Sequence, residues 1–353
     1  MIEIEDRIFP YSLGVDISPS ESEKFSITFV YPNVAAIGKN ATSDQRTYSI
    51  NQTGNSIFEA EHKFTAEVQQ MLYLKLLKVL VLSEEVGKDE KAVMQIIDGL
   101  NRDFIISKNA RMLVVRSTAR ELIESLTKAK RQVAIEGTLN AMLLNKQNST
   151  LFTPIKFTDF IEHIDVNGAT IVPVATLEGE EVIIEGGAVF KGYKLIGYIS
   201  PIENKALAYL NNDVKQDGID VEYNGADLAL MITNADAKKK LIRSEGNIKI
   251  RYDVILEGHI HGYTLEKGFQ ISTEEVLNGM QNAAASSLQK DIDKAVEKIQ
   301  KDLGADVIFV ADYLRKFHPK LWMEVEKDWD KIFPGIDIEV NVKLSIRRKG
   351  LTK

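Results

Sequence analysis

The sequence predicts an α+β protein of three consecutive domains, each a β-sheet packed with α-helices. These are an N-terminal α/β-type domain (1–180), a middle domain (181–268) and a C-terminal domain (269–353). Three observations carry this reading. Strand-like and helix-like runs alternate through the first half. Paired strand runs around tight turns fill the middle. A long helix, a Trp-bearing helix and a strictly alternating strand close the chain. A chain of 353 residues is long enough for more than one domain and needs no covalent staple to bury a core.

In the first block, Arg7 to Ser18 and Lys24 to Pro32 are β-prone and flank Pro19-Ser20-Glu21-Ser22, a turn cluster, so they read as a hairpin. Gly38 to Gly54 is polar and reads as a loop or weak strand. Ile57, Phe58, Phe64 and Val68 form a helical stripe over Ser56 to Gln70. Leu74 to Leu82 reads as a strand ending at Ser83. Asp89 to Leu100 places Val93, Ile96, Ile97 and Leu100 at helical spacing, and Arg111 to Arg116 is another strand. Thr118 with Glu121 is a capping box that opens a helix carrying Leu122, Ile123 and Leu126.

In the middle block, Val182 to Phe190 and Tyr193 to Ile199 flank Lys191-Gly192 as a hairpin. Pro201 to Leu210 reads as a short helix, with strands at Ile219–Tyr223 and Leu228–Thr233. Ile248, Ile250, Tyr252 and Val254 alternate with charged residues, as in a strand with one wet face.

In the last block, Ser272 with Glu275 is a second capping box. Apolar residues from Val276 to Leu303 then recur every three to four positions, a helix of about 30 residues, roughly 45 Å long. Gly304 suits its C-terminal cap. A strand over Ala305 to Val310 and a helical turn to His318 follow. Pro319 opens a helix with Trp322, Val325, Trp329, Ile332 and Phe333 on one side, stopped by Pro334. The final strand alternates strictly from Ile338 to Ile346.

Composition removes several function classes. There is no cysteine, hence no disulfide framework, zinc ribbon, iron–sulfur cluster or thiol nucleophile. Lys and Arg total 44 against 51 Asp and Glu, and the net charge of −7 argues against nucleic-acid binding by the chain as a whole. The greasiest run, Met71 to Leu82, is interrupted by Lys75 and Lys78 and falls short of the ~20 apolar residues of a membrane-spanning helix. The opening MIEIEDRIFP lacks the layout of a signal peptide.

The chemistry-bearing residues are each weighed against a plainer reading. Glu257, His259 and His261 share one strand face, as a metal trio would, and equally as a polar strand face would. Lys238-Lys239-Lys240 with Arg243, and Arg347-Arg348-Lys349 with Lys353, could meet anionic headgroups or an acidic partner. A solvated helix end and a charged terminus are the plainer reading. Trp322 and Trp329 belong to a core rather than to a stacking platform. Glu84-Glu85 and Glu180-Glu181 are neighbours in sequence and do not converge by themselves. Asn40, Asn51 and Asn148 head N-x-S/T triplets, which matter only in a glycosylating pathway. No GxGxxG, P-loop, GxSxG or HExxH motif occurs. No catalytic, cofactor-binding or metal-binding residue is assigned, and the chain is expected not to be an enzyme.

A resemblance adds what patterning does not. The C-terminal third carries Ile299-Gln300-Lys301, Ala305-Asp306, Arg315…His318-Pro319-Lys320…Trp322, Trp329…Phe333-Pro334 and Val342…Ile346-Arg347…Gly350. Earlier come Glu185 to Lys191 (EGGAVFK) with Leu195 and Gly197, Arg116 to Leu122, and Glu3 to Arg7 followed by Gly14-Val15-Asp16. Together these resemble the Ger(x)C spore-germination lipoproteins over nearly the whole chain. The resemblance implies three α+β domains and no enzymatic activity. It also implies a C subunit of a nutrient germinant receptor, working with integral-membrane A and B subunits and lipid-anchored to the outer face of the spore inner membrane. Family members carry a signal peptide and a lipid-modified cysteine before this start, so the expectation is that the chain is the soluble part of such a lipoprotein. The rival expectation is a protein that binds a nutrient directly in a cleft between domains.

Overall fold

The first strands form where the sequence expects a hairpin. Strand β2 (Ser12–Ile17) pairs antiparallel with β3 (Phe25–Pro32), Ser12 opposite Val30 and Ile17 opposite Phe25. The structure is a computed structural model. It describes residues 7–33, 47–68, 70–102, 106–128, 135–144, 150–179, 181–244, 247–263 and 274–348. Asn40, Asn148, Glu180, Ser272, Lys349 and Lys353 of the sequence analysis lie outside them. Chain contacts group the protein into two units. One is Met1–Asn145, Pro154–Asp165 and Thr170–Tyr198; the other is Lys146–Thr153, Val166–Ala169 and Ile199–Lys353. The hairpin opening the middle block, β10 (Glu181–Lys191) and β11 (Lys194–Ile199), joins the large sheet of the first unit.

The first unit is built on that sheet. Its other strands are β4 (Thr47–Gly54), β6 (Val79–Ser83), β7 (Arg111–Val115), β8 (Ile155–Lys156) and β9 (Ala169–Glu178), in the order β11-β10-β9-β7-β6-β2-β3-β4 with the short β8 antiparallel to β7. β2, β6, β7 and β9 run parallel. Every residue of Val-Leu-Val-Leu-Ser in β6 is buried, as a parallel strand covered on both faces requires. A small pair, β1 (Arg7–Ile8) and β5 (Met71–Leu72), stands apart. Leu74–Leu76 is a 3₁₀ turn, so β6 starts five residues later than periodicity indicates. Phe58 departs from its stripe: in α1 (Ile57–Val68) Phe64 is buried while Phe58 is 67 % exposed.

Ser83 ends β6 and caps α2 (Glu84–Lys88) through Val86 N–H, at 3.4 Å. Asp89 then accepts from Ala92 N–H to start α3 (Glu90–Arg102). The Thr118 capping box forms as written, with Glu121 N–H on Thr118 Oγ1 at 3.1 Å and Thr118 N–H on Glu121 Oε2 at 3.4 Å. The helix it opens, α4 (Ala119–Lys128), lies tight against β2. A Cβ on Gly14 would come 2.7 Å from Ile123 and 3.0 Å from Ala119, so only glycine admits this approach. Asp16, two residues on, accepts from Ala119 N–H (2.7 Å) and Arg120 N–H (3.0 Å).

The second unit has a four-stranded sheet: β12 (Asp217–Tyr223), β13 (Ala226–Ser244), β14 (Asn247–Tyr263) and β15 (Asp337–Arg348), in that order. β13 continues well past Thr233. Lys238 to Lys240 therefore sit in a strand, not at a helix end, and Ala237, Lys239 and Leu241 share one face. β15 pairs parallel with β14, Ile250 opposite Ile338. Helix α7 (Pro201–Leu210) starts from a Ser200–Glu203 capping box. Helix α8 (Glu274–Glu297) ends in a π-helical turn at Lys298–Asp302, followed by Gly304 at φ +56°.

Two expectations in the last block are corrected. Ala305 to Val310 is no strand. The Asp306 carboxylate accepts from Val310 N–H (3.0 Å) and Ala311 N–H (2.7 Å), turning the chain into α9 (Val310–Phe317). The Trp-bearing helix is not continuous either. α10 (Pro319–Val325) and α11 (Trp329–Ile332) are separated by a 3₁₀ turn, Glu326–Asp328. Seven residues of straight helix span about 10.5 Å. The break helps the Trp322 and Trp329 rings meet edge to face at 5.3 Å.

The outer edge of β15 is closed by α8. Val342 N–H donates to Gln289 Oε1 (3.1 Å) and Ile346 N–H to Gln281 Oε1 (2.8 Å). Eight helical residues rise about 12 Å and four strand residues about 13 Å, so the two spacings match.

Gly14→Val is expected to destabilise the protein by about 1–3 kcal/mol through overpacking, and Asp16→Ala by a similar amount through two orphaned amides. Urea denaturation checks both. The Gln281→Ala, Gln289→Ala double variant should keep the fold but expose a strand edge. Its expected signature is faster concentration-dependent association in light scattering.

Candidate functional site

Strand alternation in β14 places Glu257 and His259 on one face, while His261 falls at a bulge, without a strand partner between Ile260 opposite Leu230 and Gly262 opposite Ala229. Glu257 accepts from Arg347 Nε of β15 at 3.1 Å, so its carboxylate serves the sheet. His259 is half-buried and His261 exposed. Among the described residues, no three His, Asp or Glu side chains group as metal ligands. The same face carries further ion pairs: Lys240 with Asp253 (3.2 Å), Lys249 with Asp337 (3.2 Å) and Glu339 (3.0 Å), and Lys238 with Asp236 (3.5 Å). The basic cluster is therefore largely matched by its own sheet.

Lys239 points the other way, and sequence reasoning missed it. Its Nζ donates to Ile308 O (2.7 Å) and Phe309 O (3.2 Å). It also lies 5.5 Å from the centre of the Tyr252 ring. Tyr252 Oη donates to Ile308 O as well, at 3.1 Å. These contacts hold Phe309 in a left-handed conformation, φ +58°. Burial pulls the Lys239 ammonium down to about 8, opposed by the charges of Asp306 and Asp312. The available signal was parity: Lys239 shares its strand face with Ala237 and Leu241.

A second buried cluster surrounds Asp217. Its carboxylate accepts from Tyr209 Oη (2.7 Å) and Thr150 Oγ1 (2.8 Å) and pairs with Lys205 Nζ (2.7 Å). In the first unit, ends of parallel strands are where α/β proteins commonly hold anionic ligands on helix N-termini. Here the chain's own Asp16 takes the two donors of α4. Glu84 pairs with Lys88 at 2.6 Å, and the Arg116 guanidinium lies 4.5 Å over the Tyr198 ring. Trp329 is buried, in agreement with core packing.

Some surfaces are not consumed in this way. The corner between α9 and α10 presents Phe317 and Met323, 68 % and 66 % exposed, beside Lys320 and beside Lys316, which pairs with Asp312 at 2.6 Å. Among the described residues, no helix is long and apolar enough to cross a membrane.

Fold and side-chain geometry thus define an α+β protein whose strongest polar clusters hold the chain together, with apolar surface left for contact. Two family profiles cover nearly all of it. One, described as the spore germination protein N-terminal domain, matches residues 1–177; the other, spore germination B3/GerAC like, C-terminal, matches residues 185–350. The chain belongs to this spore germination GerAC family. Spore germination protein KC of Bacillus subtilis (strain 168) is 26% identical, over 99% of this chain and 91% of its own length. Spore germination proteins B3 and A3 of the same organism are each 19% identical, over 99% and 98% of this chain and 92% of their own lengths. The crystal structure of the GerBC protein superposes with a TM-score of 0.64 at 16% identity, covering 96% of this chain and 98% of that one. It shares the α+β fold.

The Lys239 arrangement makes a signed prediction. Its folded value, about 8, lies below the ordinary lysine value of about 10.4. Between these the unfolded chain holds more protons, so this group makes stability rise with pH, by at most about 1.4 kcal/mol per pH unit. That stability is present above the unfolded value and lost as pH falls through 8. Stability of the wild type relative to Lys239→Met should climb between pH 8 and 10 and be flat below pH 7. Chemical denaturation at each pH reads the difference.

Proposed function

We propose that the chain is a non-enzymatic, lipid-anchored subunit of a spore nutrient germinant receptor. It is held at the outer face of the spore inner membrane and assembles with integral-membrane A and B subunits. It is needed for receptor assembly and for the germination response to nutrients. The observation that carries this reading is the head-to-tail family match, with relatives named as spore germination proteins over 98–99% of the chain.

The geometry supports it in two ways. The clustered charges are engaged with neighbours in the chain, as suits a body that transmits contacts rather than one that performs chemistry. The Phe317–Met323 corner offers an apolar contact with basic flanks, suited to a partner chain or a membrane-proximal surface. A single acyl chain binds a membrane only marginally, so protein contacts must add to the anchor. The two compact units, rather than the three blocks 1–180, 181–268 and 269–353 read from the sequence, are proposed as the bodies that present these contacts.

In a strain relying on this receptor, deletion of the gene should abolish germination by nutrients and leave germination by a direct chemical trigger intact. The wild-type chain should fractionate with spore membranes. Phe317→Ser with Met323→Ser should keep the melting temperature within a few degrees yet reduce co-purification of the membrane subunits. An unchanged nutrient response in the deletion strain would overturn the proposal.

A further inference from the structure

A pit of about 650 Å³ opens between α1 and α3 in the first unit. Its lining includes Phe25, Leu72, Ile96 and Leu100, none more than 4 % exposed, and the pit thus reaches the sheet. Phe58 and Met71 line it as well and are 67 % and 49 % exposed. Apolar side chains left in water around a deep concavity are the usual mark of a ligand site, and the volume falls within the range of small-molecule pockets.

An independent observation comes from Gly99. It lies inside α3, where glycine is the poorest helix former after proline. Two other helical glycines are explained by packing: a Cβ on Gly279 would strike the Tyr223 ring, and one on Gly87 in α2 would come within 3.2 Å of Leu195, whereas Gly218, Gly262 and Gly335, outside the α-helices, have open space as Gly99 does. A Cβ on Gly99 meets nothing within 4 Å, and no positive φ requires the residue. Packing and conformation therefore do not explain it. Its one consequence is that no side chain at position 99 narrows the pit it lines.

Glu61 and Thr65 line the pit from α1, and three further polar groups around it are engaged. Arg102 pairs with Asp98 at 2.8 Å. Gln95 accepts from Lys24 Nζ and donates to Asn55 O. The His62 ring packs edge-on against Phe58 at 4.3 Å. The buried lining residues are all apolar, and a charge carried in among them would lose its water without compensation.

We propose that the α1–α3 pit binds a compact, uncharged, apolar small molecule, and that Gly99 keeps its mouth open. This site lies within one unit and does not depend on the assembly reading. The test uses N-phenyl-1-naphthylamine, an uncharged fluorophore, titrated into the full chain. Saturable one-to-one binding, displaced by octanol, is expected. Gly99→Leu should weaken that binding at least tenfold while the melting temperature holds or rises by about 1–4 °C, the sign of a better helix former in open space. Thr65→Leu closes the pit from α1 and should weaken the dye likewise, giving a second readout if Gly99→Leu does not fold. Linear, unsaturable fluorescence, or unchanged affinity in the folded variants, would overturn the proposal. So would a dye displaced by the membrane subunits and by no small molecule, since the pit would then be a protein contact.

Discussion

Each unit has a buried carboxylate that must find donors at a helix start. A carboxylate removed from water keeps its charge only if hydrogen bonds replace the lost solvation. Asp16 and Asp306 both meet this demand with two amides at the start of a helix, α4 for Asp16 and α9 for Asp306. Burial raises both pKa values and the amides oppose it. Much follows from this requirement. In the first unit it fixes α4 over the ends of the parallel strands, which makes a side chain on Gly14 impossible. In the second it bends the chain after α8 so that Phe309 turns left-handed and Lys239 can reach the two carbonyls this exposes. The family resemblance includes Gly14-Val15-Asp16, the Arg116 to Leu122 segment and Ala305-Asp306, the very pieces that these carboxylates join.

What the sequence made legible was local. A capping box is written within four residues, and the Thr118 helix starts where its cap is; the Ser200 box is just as local, yet only the helix after it is read from the sequence. The β15 alternation is likewise local. Its parallel pairing with β14 is not, and neither is the closing of its edge by Gln281 and Gln289. Those depend on residues more than 50 positions away. Ala305 to Val310 misled because a short apolar run is equally consistent with a strand and with a buried turn. The deciding residue, Asp306, acts through backbone amides that carry no sequence signature. Lys239 misled because three consecutive lysines look like a solvated stretch. In a strand the middle one faces the opposite side from its neighbours.

The functional surface was less legible still. The germination family could be recognised because its motifs are strings of adjacent residues. The α1–α3 pit could not, since Phe25, Leu72 and Ile96 meet only after β3, β5 and α3 pack. The charged residues that drew attention in the sequence, the histidine pair with Glu257 and the lysine run, sit on the sheet of the second unit, where Glu257 and the lysines bind neighbours in the chain. Charge is conspicuous in a sequence because it is costly to bury, and a sheet face offers the cheapest place to pair it.

Inside an α-helix, where it weakens the element that holds it, a glycine separates structural from functional constraint more cleanly than charge does. A structural glycine announces itself by a clash or a positive φ, as Gly14, Gly279 and Gly304 do. Each of these substitutions would disturb the fold, so stability alone suffices to explain the residue. Gly99 fails every such criterion and still weakens the helix that contains it. A weak helix position with room for a side chain is one where stability has been left on the table. What Gly99 does affect is an opening lined by exposed Phe58 and Met71, and exposed apolar side chains beside a pit also run against stability and solubility. Two independent departures from a stability optimum therefore coincide at one place in the first unit. Coincidence of that kind is what a binding function requires and what packing alone does not produce.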